Sequence, residues 1–333
     1  MYKVTLIPGD GIGPEITQVV VEIFDKLKAP ISWEIVEAGA GAIKKYGTPL
    51  PETVLESIKR NKVALKGPIT TPVGEGFRSV NVTLREKLDL YANLRPVKSL
   101  PEINDKFENI DLVIIRENTE CLYKGIEYKI DEDTACAVRV VTKKASERIA
   151  RFAFDYARNH NRRKVTAVHK ANIQKITDGL FLQCIREVSE YFPDIEYEEK
   201  IVDNMSMQLV LNPEKFDVIV CPNLYGDILS DLAAGLIGGL GLAPGANIGE
   251  EIAVFEAVHG SAPDITGKGI ANPIALLRSS VMLLEYLKEE NFAKKLELAI
   301  ENAVADKNIL TPDLNGYGTT ESLKNKIISL LKI

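Results

Sequence analysis

Residues 4–27 read "VTLIPGDGIGPEITQVVVEIFDKL". A β-rich apolar run leads into a glycine turn, and the turn leads into apolar residues at helical spacing. Strand, tight turn, helix is how a parallel α/β sheet begins. The glycines invite comparison with the dinucleotide fingerprint G-x-G-x-x-G, which also needs an acid about 20 residues further on. Here Gly9, Gly11 and Gly13 are spaced G-x-G-x-G, and Pro14 stands where the third glycine belongs. Glu37, at the end of the second expected strand, could act as the acid, so the match is partial. The stretch reads better as a tight turn with proline in the first helical turn, where a missing N–H costs little. There is no GxxxxGK[ST] phosphate loop elsewhere.

Working outward, the same alternation continues. Apolar β-rich runs fall at 3–7, 32–37, 62–66, 111–116, 136–142, 164–169 and 217–221, with amphipathic runs at 14–28, 51–60, 144–159, 176–190 and 224–236. This predicts an α/β fold with a largely parallel sheet. The last third reads as helices over 273–288, 291–305 and 320–332, with hardly a strand after 256. A change of domain is expected near "RPVKSLPE" (95–102) and again in the glycine-rich stretch 235–249.

The 333 residues allow two domains. With 45% hydrophobic and 26% charged residues the chain reads as globular rather than disordered. A net charge of −6 and the lack of a basic block argue against nucleic-acid binding. The longest nearly apolar run, "LAAGLIGGLGLAPG" from Leu232, is too short and glycine-rich for a membrane span. The opening residues do not read as a signal peptide. Cys121, Cys136, Cys184 and Cys221 are irregularly spaced, which predicts neither zinc nor a disulfide framework, and a reduced, cytoplasmic protein is expected.

Three constellations carry chemistry. Arg85, Arg95 and Arg116 lie among apolar residues in "GFRSVNVTLREKLDLYANLRP" (76–96) and "IIRENTECLYKGIE" (114–127). Planar guanidinium forks suit carboxylates, so three of them can clamp a polycarboxylate; on spacing alone, three separate structural ion pairs account for them as well. Asp227 and Asp231 in "NLYGDILSDLAAGL" (223–236) share a helix face. With Asp203 they suit a hard cation such as Mg²⁺ or Mn²⁺, although a helix cap and a solvated acid are the plainer reading of the pair. Lys170, at the end of "KVTAVHK", and Tyr123 are candidate proton carriers. His160 and His169 read as structural, since no serine or cysteine motif accompanies them.

Taken together, "IPGDGIGPE", "LDLYANLRP", "RENTE", "HKANI", "NLYGDILSDLAAGLIGGLGLAPGANIG", "AVHGSAPDITGKGIANP" and "TPDLNG" resemble the β-decarboxylating dehydrogenases. That family includes isocitrate, 3-isopropylmalate, homoisocitrate and tartrate dehydrogenases, and the resemblance runs over nearly the whole chain. It implies an isopropylmalate dehydrogenase-like fold: two α/β domains with parallel and mixed sheet and a non-Rossmann nucleotide site. Residues 1–96 with 238–333 would form the large cofactor-binding domain, and 97–237 the small domain with the dimer interface and the metal aspartates. The cofactor loop would be "HGSAPDITGKGIANP" (259–273). There His259, Gly260 and Asn272 line the adenine side, and Asp264 accepts from the adenosine ribose. NADP-dependent relatives carry Lys-Tyr where this chain has Asp264-Ile265, so NAD is expected.

The resemblance assigns Arg85, Arg95 and Arg116 to substrate carboxylates, and Asp203, Asp227 and Asp231 to Mg²⁺ or Mn²⁺. It makes Lys170 the base on the substrate hydroxyl and Tyr123 the acid at the enol. In the family the lysine and one aspartate come from a neighbouring subunit, which implies an active homodimer or tetramer. Ser79 and Asn81, six and four residues before Arg85, match isocitrate enzymes, where they meet the γ-carboxylate; isopropylmalate enzymes place apolar residues there. The expected activity is therefore NAD-dependent oxidative decarboxylation of isocitrate, a step of the tricarboxylic acid cycle. Homoisocitrate and then 3-isopropylmalate follow as alternative substrates. A non-catalytic regulatory subunit is the reading outside the enzyme class, and it is disfavoured because this chain keeps the arginine, tyrosine, lysine and aspartate set. An ordinary Rossmann hydroxyacid dehydrogenase using "GDGIGP" is the other outsider.

Overall fold

The computed structural model describes residues 1–70, 78–100, 103, 107 and 109–331. Gly76 and Phe77 of the arginine segment, and part of the boundary expected at 95–102, lie outside them. The chain divides into two compact units: Met1–Leu88, Ser99–Glu108 and Ile237–Ile333 form the first, Asp89–Lys98 and Asn109–Leu236 the second.

The first unit opens with β1 (Tyr2–Ile7), α1 (Gly13–Leu27), β2 (Ile31–Ile35), α2 (Ala40–Tyr46), α3 (Glu52–Asn61), β3 (Val63–Lys66) and α4 (Val80–Lys87). The second holds β4 (Ala92–Lys98), β5 (Asp111–Glu117), the hairpin β6 (Glu127–Lys129) and β7 (Ala135–Ala137), α5 (Lys143–Asn159), β8 (Lys164–His169), α6 (Thr177–Ser189), β9 (Glu196–Ile201), α7 (Val202–Leu211), β10 (Val218–Cys221) and α8 (Asn223–Leu236). The chain then returns to the first unit with β11 (Pro244–Ile248), β12 (Ala253–Ala257), α9 (Ile274–Tyr286), α10 (Glu290–Val304) and α11 (Thr320–Leu330).

In the first unit the strands lie in the order β2-β1-β3-β12-β11, parallel except for β11 against β12. In the second the order is β4-β5-β10-β8-β9, parallel except for β4 against β5. The mixed α/β architecture is therefore the expected one. The central strands are buried on both faces, as β3, β10 and β12 show, because helices cover parallel sheets on both sides.

Several local expectations need correction. The run 136–142 is not a sheet strand; only Ala135–Ala137 is extended, in an exposed two-stranded hairpin. Among the described residues no strand follows β12, as expected after 256, but β11 and β12 themselves are missing from the expected strand runs. The second unit takes in all of β4, so an expected boundary after residue 96 cuts a strand seven residues long. β4 reads poorly because Arg95 and Pro96 interrupt it, and β9 ("EYEEKI") because it is a charged edge strand beside β8.

Among the described residues, no helix is long and apolar enough to cross a membrane. All four cysteines are free.

Candidate active site

The opening glycine turn is built for close backbone approach. Gly9 and Gly11 adopt φ of +76° and +60°. A Cβ on Gly9 would lie 2.1 Å from the Pro68 carbonyl oxygen, and one on Gly11 2.0 Å from that of Ser261. The Asp10 carboxylate accepts from the N–H groups of Ala40 (3.0 Å) and Thr70 (2.9 Å), which closes the turn. Pro14 lies in the first turn of α1. The glycines thus meet protein backbone, which accounts for the departure from G-x-G-x-x-G. Glu37, the acid such a fingerprint would need, is exposed and pairs with Lys45.

The turn also borders a cavity within the first unit. About 410 Å³ in volume, it is lined by Ile12, Gly241, His259, Gly260, Ala262, Ile265, Ile270, Asn272, Pro312 and Asp313. Four of the five residues expected at the cofactor are therefore in its wall; Asp264 stands exposed between Ala262 and Ile265. Asn272 donates to Asp313 Oδ2 at 2.9 Å. His259 Nδ1 lies 2.9 Å from the Gly260 carbonyl, which can only accept, so Nδ1 carries the proton. Its Nε2 is then a bare acceptor, buried and without a partner among the described residues. Burial holds the imidazole below its usual pKa, so the ring stays neutral. A mostly apolar cavity with one unspent acceptor fits a purine whose amino group donates.

Also in the first unit, Ser79 caps α4, with Thr83 donating to its carbonyl. Among the described residues Asn81 Oδ1 is buried without a partner; its amide can turn to present NH₂ to an anion. Arg85, on the last turn of α4, is buried, with Glu256 Oε1 3.7 Å away. Glu256 accepts from Asn247 at 2.6 Å and pairs with buried Lys66 at 2.5 Å. Despite the opposing cost of burial, Lys66 and then Arg85 hold its carboxyl down to about 2. Neither Lys66 nor Glu256 is among the expected site residues. Each is the lone charge in an apolar run, "VALKGP" and "AVFEAV", and that is the signal that betrays them.

In the second unit the strand ends converge. Arg116 is near the C-terminal end of β5, Lys170 follows β8, and α8 starts just beyond β10. The C-terminal edge of parallel strands is where open α/β sheets bind ligands. Arg116, 1% exposed, donates to Asn223 Oδ1 at 2.9 Å, contacts Asp227 and lies over the Tyr123 ring. Arg95 reaches Asp227 (3.5 Å) and Asp231 (3.3 Å) and donates to Asn93 and Ser230. The Tyr123 hydroxyl donates to Asp227. A Cβ on Gly226 would sit 2.6 Å from the Arg116 side chain, so α8 approaches this closely only because position 226 is glycine. Asp227 is a turn inside α8 rather than at its cap. Burial raises the Asp231 carboxyl, with Asp227 adding to the rise and Arg95 opposing it.

Lys170 and Asp203 form a separate pair at 2.9 Å, and the ammonium holds Asp203 below the usual carboxylate range. Asp203 does not join Asp227 and Asp231: among the described residues, no three acidic, histidine or cysteine side chains are grouped to hold a metal. Two half-exposed carboxylates on one helix face do have the donor chemistry of a hard cation, which otherwise keeps several waters or takes substrate oxygens in its six-ligand shell. His169 Nδ1 accepts from the Ala171 N–H, and His160 Nδ1 donates to the Tyr156 carbonyl, so each spends a ring nitrogen on nearby backbone.

Guanidinium forks, a phenol and paired carboxylates are thus gathered in the second unit, groups whose chemistry suits carboxylate anions and hard cations. A family model described as isocitrate/isopropylmalate dehydrogenase matches residues 3–327, and the chain belongs to that family. It is 49% identical over 331 residues to a Drosophila melanogaster protein named as a probable mitochondrial NAD isocitrate dehydrogenase subunit alpha, covering 99% of this chain and 87% of that one. It is 52% identical over 306 residues to the chloroplastic 3-isopropylmalate dehydrogenase of Solanum tuberosum, covering 92% and 86%. A crystal structure of isocitrate dehydrogenase from Methylococcus capsulatus superposes with a TM-score of 0.96 at 52% identity, covering 100% of both chains.

Proposed function

We propose that the chain is an NAD-dependent isocitrate dehydrogenase that oxidises and decarboxylates isocitrate to 2-oxoglutarate and carbon dioxide. The convergence of Arg95, Arg116 and Tyr123 on Asp227 and Asp231 carries this reading, because it joins carboxylate binding, a proton donor and hard-cation ligands in one cluster. The first unit would serve the cofactor, and the second the metal and the contact with a second copy.

Asp227 and Asp231 would hold Mg²⁺ or Mn²⁺, with Asp203 of a second copy as the third ligand. The cavity lined by His259, Gly260, Ile265 and Asn272 would hold the adenine of NAD, with Asp264 on the ribose. When bound, the cation would supply polarisation of the substrate's hydroxyl and ketone, and NAD would supply the hydride acceptor. Arg85, Arg95 and Arg116 bind and orient the carboxylates, with Ser79 and Asn81 at the γ-carboxylate. Lys170 of the second copy takes the hydroxyl proton, through water. Carbon dioxide leaves, and Tyr123 returns a proton to the resulting enol carbon. A homodimer, alone or paired into a tetramer, follows from this division.

The 52% identity to a 3-isopropylmalate dehydrogenase keeps that substrate as the second reading, while homoisocitrate differs from isocitrate by one methylene, which pockets discriminate by only about 1–3 kcal/mol. Initial rates with NAD and with NADP, plus Mg²⁺, on isocitrate, homoisocitrate, 3-isopropylmalate and tartrate decide. The highest kcat/KM belongs to isocitrate with NAD. A preference for 3-isopropylmalate overturns the Ser79/Asn81 assignment, and no turnover on any of the four revives the regulatory-subunit reading.

A further inference from the structure

The backbone around Lys170 is gripped from both sides, and both grips lead to one buried guanidinium. The Lys170 N–H donates to Asp178 Oδ2 at 2.6 Å. The Lys170 carbonyl accepts from the N–H of Gln174 at 2.9 Å. Asp178, in the first turn of α6, is completely buried, and its other oxygen lies 2.8 Å from Arg139. Arg139, from the segment between β7 and α5, has a side chain 9% exposed. The same guanidinium donates to the Gln174 side chain and, at 2.7 Å, to the Tyr225 hydroxyl. It also lies 4.6 Å over the Tyr225 ring. Tyr225 is on α8, two residues before Asp227.

A fully buried carboxylate is costly even when paired, and apolar replacement of such a pair is often neutral or stabilising. Stability alone is therefore a poor reason for this pair, whereas geometry is a good one. Arg139 joins the Lys170 turn to the helix that bears Asp227 and Asp231. We propose that the Arg139–Asp178 pair, braced by Tyr225, is a positioning device that sets the Lys170 ammonium for proton transfer. Neither residue touches substrate; both act through Lys170. The inference rests on the reading of Lys170 as the base.

The test compares Asp178→Asn and Arg139→Lys in the full chain and in a Lys170→Ala background, with isocitrate, NAD and Mg²⁺. Misplacing a reacting group by an ångström costs about 100-fold. On that scale Asp178→Asn lowers kcat about 30- to 100-fold, while the KM for isocitrate moves less than about 3-fold and NAD affinity holds. Arg139→Lys, which keeps the charge but loses the fork, falls between it and the wild type. In the Lys170→Ala background Asp178→Asn costs less than about 2-fold more, because residues acting as a unit are non-additive. Equal fractional losses in both backgrounds would make the pair merely structural and overturn the proposal. Should Asp178→Asn not fold, Tyr225→Phe removes one hydroxyl and keeps the ring. It lowers kcat about 3-fold or more with the same non-additivity, and an unchanged kcat overturns the bracing. Full turnover by Lys170→Ala itself would sink the base assignment, whereas an inactive Lys170→Ala beside a fully active Asp178→Asn sinks only the positioning.

Discussion

Glu256 shows what one buried charge does. It lies in the apolar strand β12, meets Lys66 at 2.5 Å and has Arg85 beside it. Its carboxyl is held down to about 2, far below an ordinary glutamate. A carboxylate depressed in the folded state contributes stability that is present above the unfolded pKa, near 4.3, and is lost as pH falls toward 2. That contribution is about 3 kcal/mol. Glu256→Gln should therefore flatten the acid limb of the unfolding free energy between about pH 4.5 and 2. At neutral pH it should cost about 3–5 kcal/mol, because Lys66 is left buried without its counter-charge. Urea titrations at several pH values measure both, and an unchanged acid slope would mean that Glu256 is not ionised against Lys66. The residue also shows how far sequence reaches. A lone glutamate in "AVFEAV" and a lone lysine in "VALKGP" each announce a buried charge. Their pairing is invisible, because parallel strands 190 positions apart bring them together, with Glu256 in register with Lys66.

At the scale of elements, α8 presents both candidate metal carboxylates on one face: Arg95 touches both Asp227 and Asp231, four residues apart. The shared face was legible from helical spacing; the arginines that meet it were not, because they come from β4 and β5, and β4 hides as a strand. Asp231→Asn should lower metal-dependent kcat by about 100-fold or more, while the half-exposed side chain leaves the melting temperature within about 2 °C. Activity that survives a chelator would remove the metal assignment.

The cofactor loop allows a second test at this scale. Asp264 is exposed beside the cavity wall, where its charge would repel a 2′-phosphate if the proposed cofactor site is right. Asp264→Lys with Ile265→Tyr should raise the NADP/NAD ratio of kcat/KM at least about 10-fold, since removing repulsion and adding a cation both favour the phosphate. An unchanged ratio would put the nucleotide elsewhere. The sequence motif singled out four residues that share one cavity wall, whereas the walls given by Ile12 and Asp313 needed the fold, because the two lie 301 positions apart.

The molecule as a whole raises a problem that one chain does not solve. Lys170 and Asp203 pair with each other, while Arg95, Arg116, Tyr123, Asp227 and Asp231 gather separately, and Asp203 makes no metal group with the latter aspartates. Large apolar side chains stand exposed beside both sets: Ile173 after Lys170, Met207 and Leu211 on the helix of Asp203, and Ile228 after Asp227. Water contact at such residues is unfavourable, and a second copy related by a twofold axis would cover like elements with like. Sites completed in trans make a numerical prediction. Lys170→Ala and Asp231→Asn would each leave every site of their own homodimers with a small residue of activity, about 1% or less. Mixed after dissociation, half of the dimers are hybrids, and each hybrid has one site with both defects and one with neither. The mixture should recover about 25% of wild-type activity, the statistical value for random pairing of two protomers. If each chain instead completes its own site, every site in the hybrid keeps one defect and mixing restores nothing. Recovery also tracks hybrid formation, so diluting the protomers before mixing should slow its appearance without changing its plateau, which separates subunit exchange from reversion of either variant.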